Sequence, residues 1–131
     1  MAKQFLNITA ETNFYLYGVS SHLKDYRFIW MLNKALKTDF VKVDFFENIE
    51  SRQSFSTYHY QIDFSNIYVI SNKSQGGFLL KKAKQIDYWI KMDYNTDEKI
   101  KSDWILQLKN IDDVLATVEI TDYKQKEHFI F

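Results

Sequence analysis

Ser20-Ser21-His22, followed by Lys24 and Arg27, places two hydroxyls, an imidazole and two cations within eight residues. If a helix starts there, its unpaired backbone N–H groups add to them, and such a cluster can hold a phosphate or carboxylate. No Gly-rich phosphate loop precedes it, since Gly18 stands alone. The same residues also read as a capped helix start with solvated charges. His22, His59 and His128 lack metal-ligand spacing between any two of them, and no HExxH pattern occurs. The chain has no cysteine, which excludes disulfides, zinc–thiolate sites and thiol catalysis. Serine, histidine and aspartate are present, but without a GxSxG nucleophile elbow. No catalytic constellation, metal site or cofactor site is read.

Two further groups of residues could form a surface. Lys81, Lys82 and Lys84 make a basic patch beside Trp89, within a stretch (71–92) that carries five lysines against Asp87 alone. The next stretch, 93–122, carries eight acids against three lysines. A lysine run of this kind can meet an acidic partner or RNA, or can guard a strand edge against aggregation. Asp87 itself interrupts "AKQIDYWIKM", a segment that otherwise reads as a half-buried strand.

These residues need elements to position them. Residues 12–19 read as a strand, and the following "SSHLKDYRFIWMLNKALK" takes up helical period with Leu23, Tyr26, Ile29, Trp30 and Leu36 on one face, Ser20 or Ser21 capping it. In residues 39–46, Val41, Val43 and Phe45 alternate with Lys42 and Asp44, as in a strand. "SFSTYHYQI" and "NIYVISN" form a hairpin that turns at Asp63 to Asn66, and Gly76-Gly77 marks another turn. A strand at 85–92 leads to a helix capped by Asn95 with Glu98 three residues on, along which Ile100, Trp104, Leu108 and Ile111 repeat. "DVLATVEI" closes the chain's regular part as a strand with Val114, Ala116, Val118 and Ile120 on one face. The expectation is one α+β domain over residues 1–131: a mainly antiparallel sheet with two helices on one face, ferredoxin-like βαβ…βαβ, with an extra central hairpin.

A chain of 131 residues can bury a core without covalent staples. Seventeen basic side chains balance seventeen acidic ones, which argues against a nucleic-acid partner held by bulk charge. The 11 Phe, 9 Tyr and 3 Trp could stack bases or sugars; they also fit the codon bias of an AT-rich genome, as does the lack of proline. The polar start predicts no secretory leader, and no apolar run is long enough for a membrane span, so a cytoplasmic setting is expected.

"GVSSHLKDYRFIWMLNKAL", "ISNKS" and "LLKKAKQIDYWI" resemble a family of small bacterial proteins named for an Ile-Pro-Glu and Val-Asp-Tyr signature (IPExxxVDY). The resemblance spans most of the chain. Leu80, Lys81 and Lys82 stand at the Ile-Pro-Glu positions, while Ile86-Asp87-Tyr88 keeps the second half. It implies a small cytoplasmic bacterial protein and assigns neither an activity nor a site. Its closing strand–helix–strand unit also resembles half of an ACT-type regulatory domain.

Strand parity then suggests a function. With Ile86, Tyr88, Ile90 and Met92 toward the helices, and Phe14 and Leu16 inward, the residues Tyr15, Tyr17, Asp87, Trp89 and Lys91 would line an uncovered sheet face. The expected function is a non-catalytic interaction module using that face to bind a second copy or another protein. The alternatives are single-stranded RNA binding through exposed aromatics and the Lys81/Lys82/Lys84 cluster, and an ACT-like small-ligand sensor.

Overall fold

A computed structural model of the protein describes residues 13–48, 53–74 and 76–130. The expectation of one domain over residues 1–131 extends to 1–12 and 49–52, outside the described residues, as do Thr12 of the first expected strand and the side chain of Phe45. The described chain is α+β, with strands β1 (Phe14–Ser21), β2 (Val41–Asn48), β3 (Gln53–Ile62), β4 (Ser65–Ser71), β5 (Lys73–Ser74), β6 (Gly77–Phe78), β7 (Tyr88–Asp93) and β8 (Val114–Ile120). Helix α1 (Asp25–Leu36) follows β1, α2 (Glu98–Lys109) follows β7, and the short α3 (Tyr123–Lys126) follows β8. Six strands form one antiparallel sheet with two edges, in the order β2-β3-β4-β7-β1-β8, while β5 and β6 form a small ribbon of their own.

Each of the two long helices begins on a polar signal and buries one face. Asp97 caps α2 with its side chain, accepting from Lys99 N at 2.9 Å and Ile100 N at 3.3 Å. The expected cap, Asn95, is engaged elsewhere: its side chain accepts from Ser65 Oγ and donates to the Phe64 carbonyl, tying the β7–α2 loop to the β3–β4 turn. Helix α1 starts at Asp25 with Lys24 as its N-cap and no side-chain cap. Ser20 and Ser21 are not its start; they end β1, where they pair with Ala116 and Val114 of β8. Pairing with a distant strand has overridden the local capping preference. Asn33 closes the other end of α1, accepting from Phe40 N and Thr38 Oγ1 and donating to Phe40 O.

Both faces of the sheet are covered. On the first, Tyr17, Val19, Ile67, Val69, Tyr88, Ile90 and Met92 pack beneath Phe28, Ile29, Leu32 and Leu36 of α1 and Trp104 and Leu108 of α2. On the second, Phe14, Leu16, Phe55, Ile70 and Trp89 lie under Leu79, Leu80, Ala83, Ile86 and Phe129. Among the described residues, the central strands therefore present no uncovered face of the kind expected. Trp89 is fully buried, Tyr17 and Lys91 are buried, and Tyr15 is half-buried. These residues do not share a face either. Tyr17 stands opposite Ile90, on the helix side, while Trp89 stands opposite Gly18, on the other. The parity of β1 is the reverse of the expected one because its apolar residues run through both sides; in a strand buried twice, alternation says nothing about which side is which.

A single amide organises the second layer. Asn72, with no solvent exposure, donates from Nδ2 to the carbonyls of Ala83 and Ile86 at 3.0 and 2.8 Å. Its Oδ1 accepts from Leu80 N at 3.0 Å and from the Trp89 indole at 2.9 Å. The non-periodic segment 79–86 is thereby pinned against the sheet. Gly18 allows that approach: a Cβ there would lie 2.9 Å from Ile86 Cδ1 and 3.1 Å from Trp89 Cζ3.

Candidate functional site

Where β1 ends and β7 begins, the chain leaves the sheet on both sides and a cleft of about 980 Å³ opens. Ser20, Ser21 and His22 come from the end of β1, Lys24 and Asp25 from the start of α1, Lys42 from β2, and Ser56 and Tyr58 from β3. Ser71, Lys73, Lys84, Gln85, Asp87 and Tyr88 come from the end of β4 through the start of β7, and Leu115 of β8, Leu23 before α1 and Tyr26 in its first turn add apolar surface. The ends of strands are where backbone pairing stops and side chains become available, so a site here needs no gap in the core.

Asp87 answers for the interruption it makes in the sequence. It lies immediately before β7, half-buried, and its Oδ2 accepts from Ser21 N at 2.8 Å. That N–H sits where the β1–β8 register shifts, between Ser20 and Ser21, and the carboxylate supplies an acceptor there. Oδ1 faces Lys73 Nζ at 3.5 Å. The backbone of Asp87 continues both ladders, donating to Val19 O and accepting from Asn72 N.

The hydroxyls of Ser20, Ser21 and Tyr88 are anchored. Ser20 Oγ donates to Gln85 O at 2.6 Å, Ser21 Oγ accepts from Leu23 N, and the Tyr88 hydroxyl donates to Leu23 O. Tyr88 stacks on Phe28 with ring centroids 3.9 Å apart. Burial, reinforced by Asp25, pushes its phenol above the usual tyrosine range, and the same two causes raise Tyr58. Both walls thus stay neutral. Charge in the cleft comes from Lys24, Lys42, Lys73 and Lys84, with His22 beside them, against Asp25 and Asp87. Lys73 and Lys84 both reach the Phe78 ring, at 6.0 and 5.8 Å from its centroid.

The structure regroups the residues singled out from the sequence. Ser20, Ser21, His22 and Lys24 line one cleft together, while Arg27 is exposed outside it. Their expected helix N-terminus does not serve them, because Asp25 occupies the first turn of α1. Lys84 joins the cleft; Lys81 and Lys82 are exposed on the 3-10 turn Lys81–Ala83, apart from it. Of the expected interaction face, Asp87 alone reaches the cleft, and with Trp89 buried the expected stacking platform for RNA is lost. In the sequence Lys42 stands out only as part of a strand alternation, Lys73 as part of a charge run and Tyr58 as part of a hairpin strand. Nothing local marks them, since their meeting depends on the order β2-β3-β4-β7-β1.

Among the described residues, no group of three or more His, Asp or Glu side chains is placed to hold a metal ion, and no helix is long and apolar enough to cross a membrane. Comparison with protein-family models, with curated proteins and with solved structures found no match.

Proposed function

We propose that this chain is a non-catalytic binding module whose cleft takes a small ligand carrying a phosphate or carboxylate group. The observation that carries this reading is the excess of cations, four lysines against two acids, around a cleft of about 980 Å³. That volume lies at the upper end of the range for small-molecule sites, roughly 300–1,000 Å³. It is closest in kind to the small-ligand sensor among the sequence expectations. The cytoplasmic setting and the kinship with the IPExxxVDY family belong to the same proposal. What supports the kinship is that its quoted segments, 18–36, 70–74 and 79–90, meet around Asn72, Asp87 and Tyr88.

A ferredoxin-like core is also part of the reading. Its support is the order β8-β1-β7-β4, with α1 lying between β1 and β4 in the chain and α2 between β7 and β8. On this view β2 and β3 are a hairpin added at one edge.

The test is calorimetric titration and thermal shift with pyrophosphate, a nucleoside triphosphate and citrate at low salt, on the full chain and on Lys24→Glu/Lys84→Glu. A ligand at a hundred times its dissociation constant should stabilise the fold by about 2.7 kcal/mol, and the double variant should lose the effect. If all three anions leave the melting temperature unchanged, or stabilise the double variant equally, the cleft is not an anion site.

A further inference from the structure

The apolar part of the cleft has a cause in the register of the sheet. Ser20 pairs with Ala116 and Ser21 with Val114, so Leu115 is the extra residue of a bulge in β8. A bulge re-aims a side chain out of the strand's alternation. Leu115 lines the cleft and is 57% exposed. Tyr26 lines it as well and is 74% exposed. The core does not need that ring, since α1 buries Phe28, Ile29, Leu32 and Leu36 instead. The cations gather elsewhere in the lining: Lys73 and Lys84 both reach the Phe78 ring, and Lys73 faces Asp87. Four lysines outnumber the two acids by two.

We propose that the cleft takes a nucleoside polyphosphate, with its phosphates among the lysines and its base flat on Tyr26 beside Leu115. This rests on reading the cleft as an anion site, and it names the rest of the ligand. Three features select the class. An excess of two cations matches a ligand with more than one negative charge, which a di- or triphosphate brings and a simple carboxylate does not. A ring and an aliphatic side chain left this open present a face and not a tunnel. A planar base covers such a face and stacks on the ring, whereas an acyl chain leaves water only where it is enclosed on all sides. The cleft's volume, about 980 Å³, leaves room for a sugar and a base beyond the phosphates.

Titration calorimetry on the full chain, at low salt and without added magnesium, compares adenosine triphosphate with inorganic tripolyphosphate. Both carry the same row of phosphates, so a preference for the nucleotide measures the sugar and base alone. The wild-type chain should bind the nucleotide about tenfold more tightly, as one base–aromatic stack contributes. Tyr26→Ala should bring the nucleotide down to the level of tripolyphosphate and leave tripolyphosphate unchanged, while Tyr26→Phe keeps the preference. Circular dichroism checks that the variants fold, and the wild-type comparison needs no variant. Equal affinity for the two ligands in the wild-type chain overturns the nucleotide assignment and leaves the anion site standing. So does a folded Tyr26→Ala chain that keeps the preference or weakens both ligands alike. If neither ligand binds, the anion reading falls and this inference with it.

Discussion

Asn72 uses its whole amide: two donors and two acceptor contacts, all to groups that have no water to turn to. Replacing it with leucine keeps the bulk and strands the Ile86 carbonyl, Leu80 N and the Trp89 indole at once, while the Ala83 carbonyl keeps only its bond from Ile86 N. Asn72→Leu should therefore cost about 4 kcal/mol, read as a lower urea midpoint with an unchanged slope, since each abandoned group carries about 1–3 kcal/mol. Lys91 is the other buried polar residue with a large consequence. Its ammonium donates to Phe129 O at 2.8 Å and lies 4.5 Å from the Phe14 ring centroid, and burial pulls its pKa from 10.5 down to about 8. Between those values the unfolded chain holds a proton that the folded chain has released, so stability should rise with pH from about 8. Below that pH both states are charged and the desolvation cost is present in full. Burial raises Tyr17, Tyr58, Tyr68 and Tyr88 above 10.0, so above pH 10 the unfolded chain loses protons first and stability falls. Urea melts across this range should show a maximum between about pH 8 and 10. Lys91→Met should remove most of the rise, leaving the part due to Lys126, whose pKa burial also lowers, and leaving the fall.

At the scale of elements, α2 rests on a single cap. Asp97→Ala leaves the N–H groups of Lys99 and Ile100 without their acceptor, and should cost about 1 kcal/mol in a thermal or urea melt. Asn95→Ala should spare the helix and loosen the β3–β4 turn instead, seen as faster amide exchange around Ser65. The six strands of the large sheet and both long helices were legible as elements because each has an apolar period, and the β3–β4 hairpin because polar residues break that period at Asp63. The face of α1 was not, since Tyr26 and Trp30, read on its apolar face, are exposed and Phe28 and Leu32 are buried in their stead. The start of α1 was not legible. Ser20 and Ser21 have the chemistry of caps, and only the approach of β8 tells that they are strand. The second layer was hidden for a different reason: Leu79, Leu80 and Phe129 sit in segments without periodicity. Ile86, which the alternation of 85–92 puts with Tyr88 and Ile90 toward the helices, lies before β7 and packs on the other side, held by Asn72. Without that layer in view, Trp89 and Lys91 read as surface. The cleft was half legible, as the run from Ser20 to Lys24; its remaining cations come from three other places in the chain.

For the molecule as a whole, the position of β1 has a consequence in time. The first described strand is interior to the sheet, and both its partners, β7 and β8, are made last; Leu16 waits for Ile120. At synthesis rates of about 5–20 residues per second, the intervening stretch takes on the order of ten seconds to appear. Throughout that interval Phe14, Leu16, Tyr17 and Val19, all buried in the finished protein, have no sheet to enter. The β3–β4 hairpin can form meanwhile, since its pairs are close in the chain. Limited proteolysis of nascent chains halted at successive lengths should find β3 and β4 protected early and β1 still cleavable until residue 120 has emerged. Folding thus runs from β3 and β4 outward, and β1 needs shelter until β8 arrives.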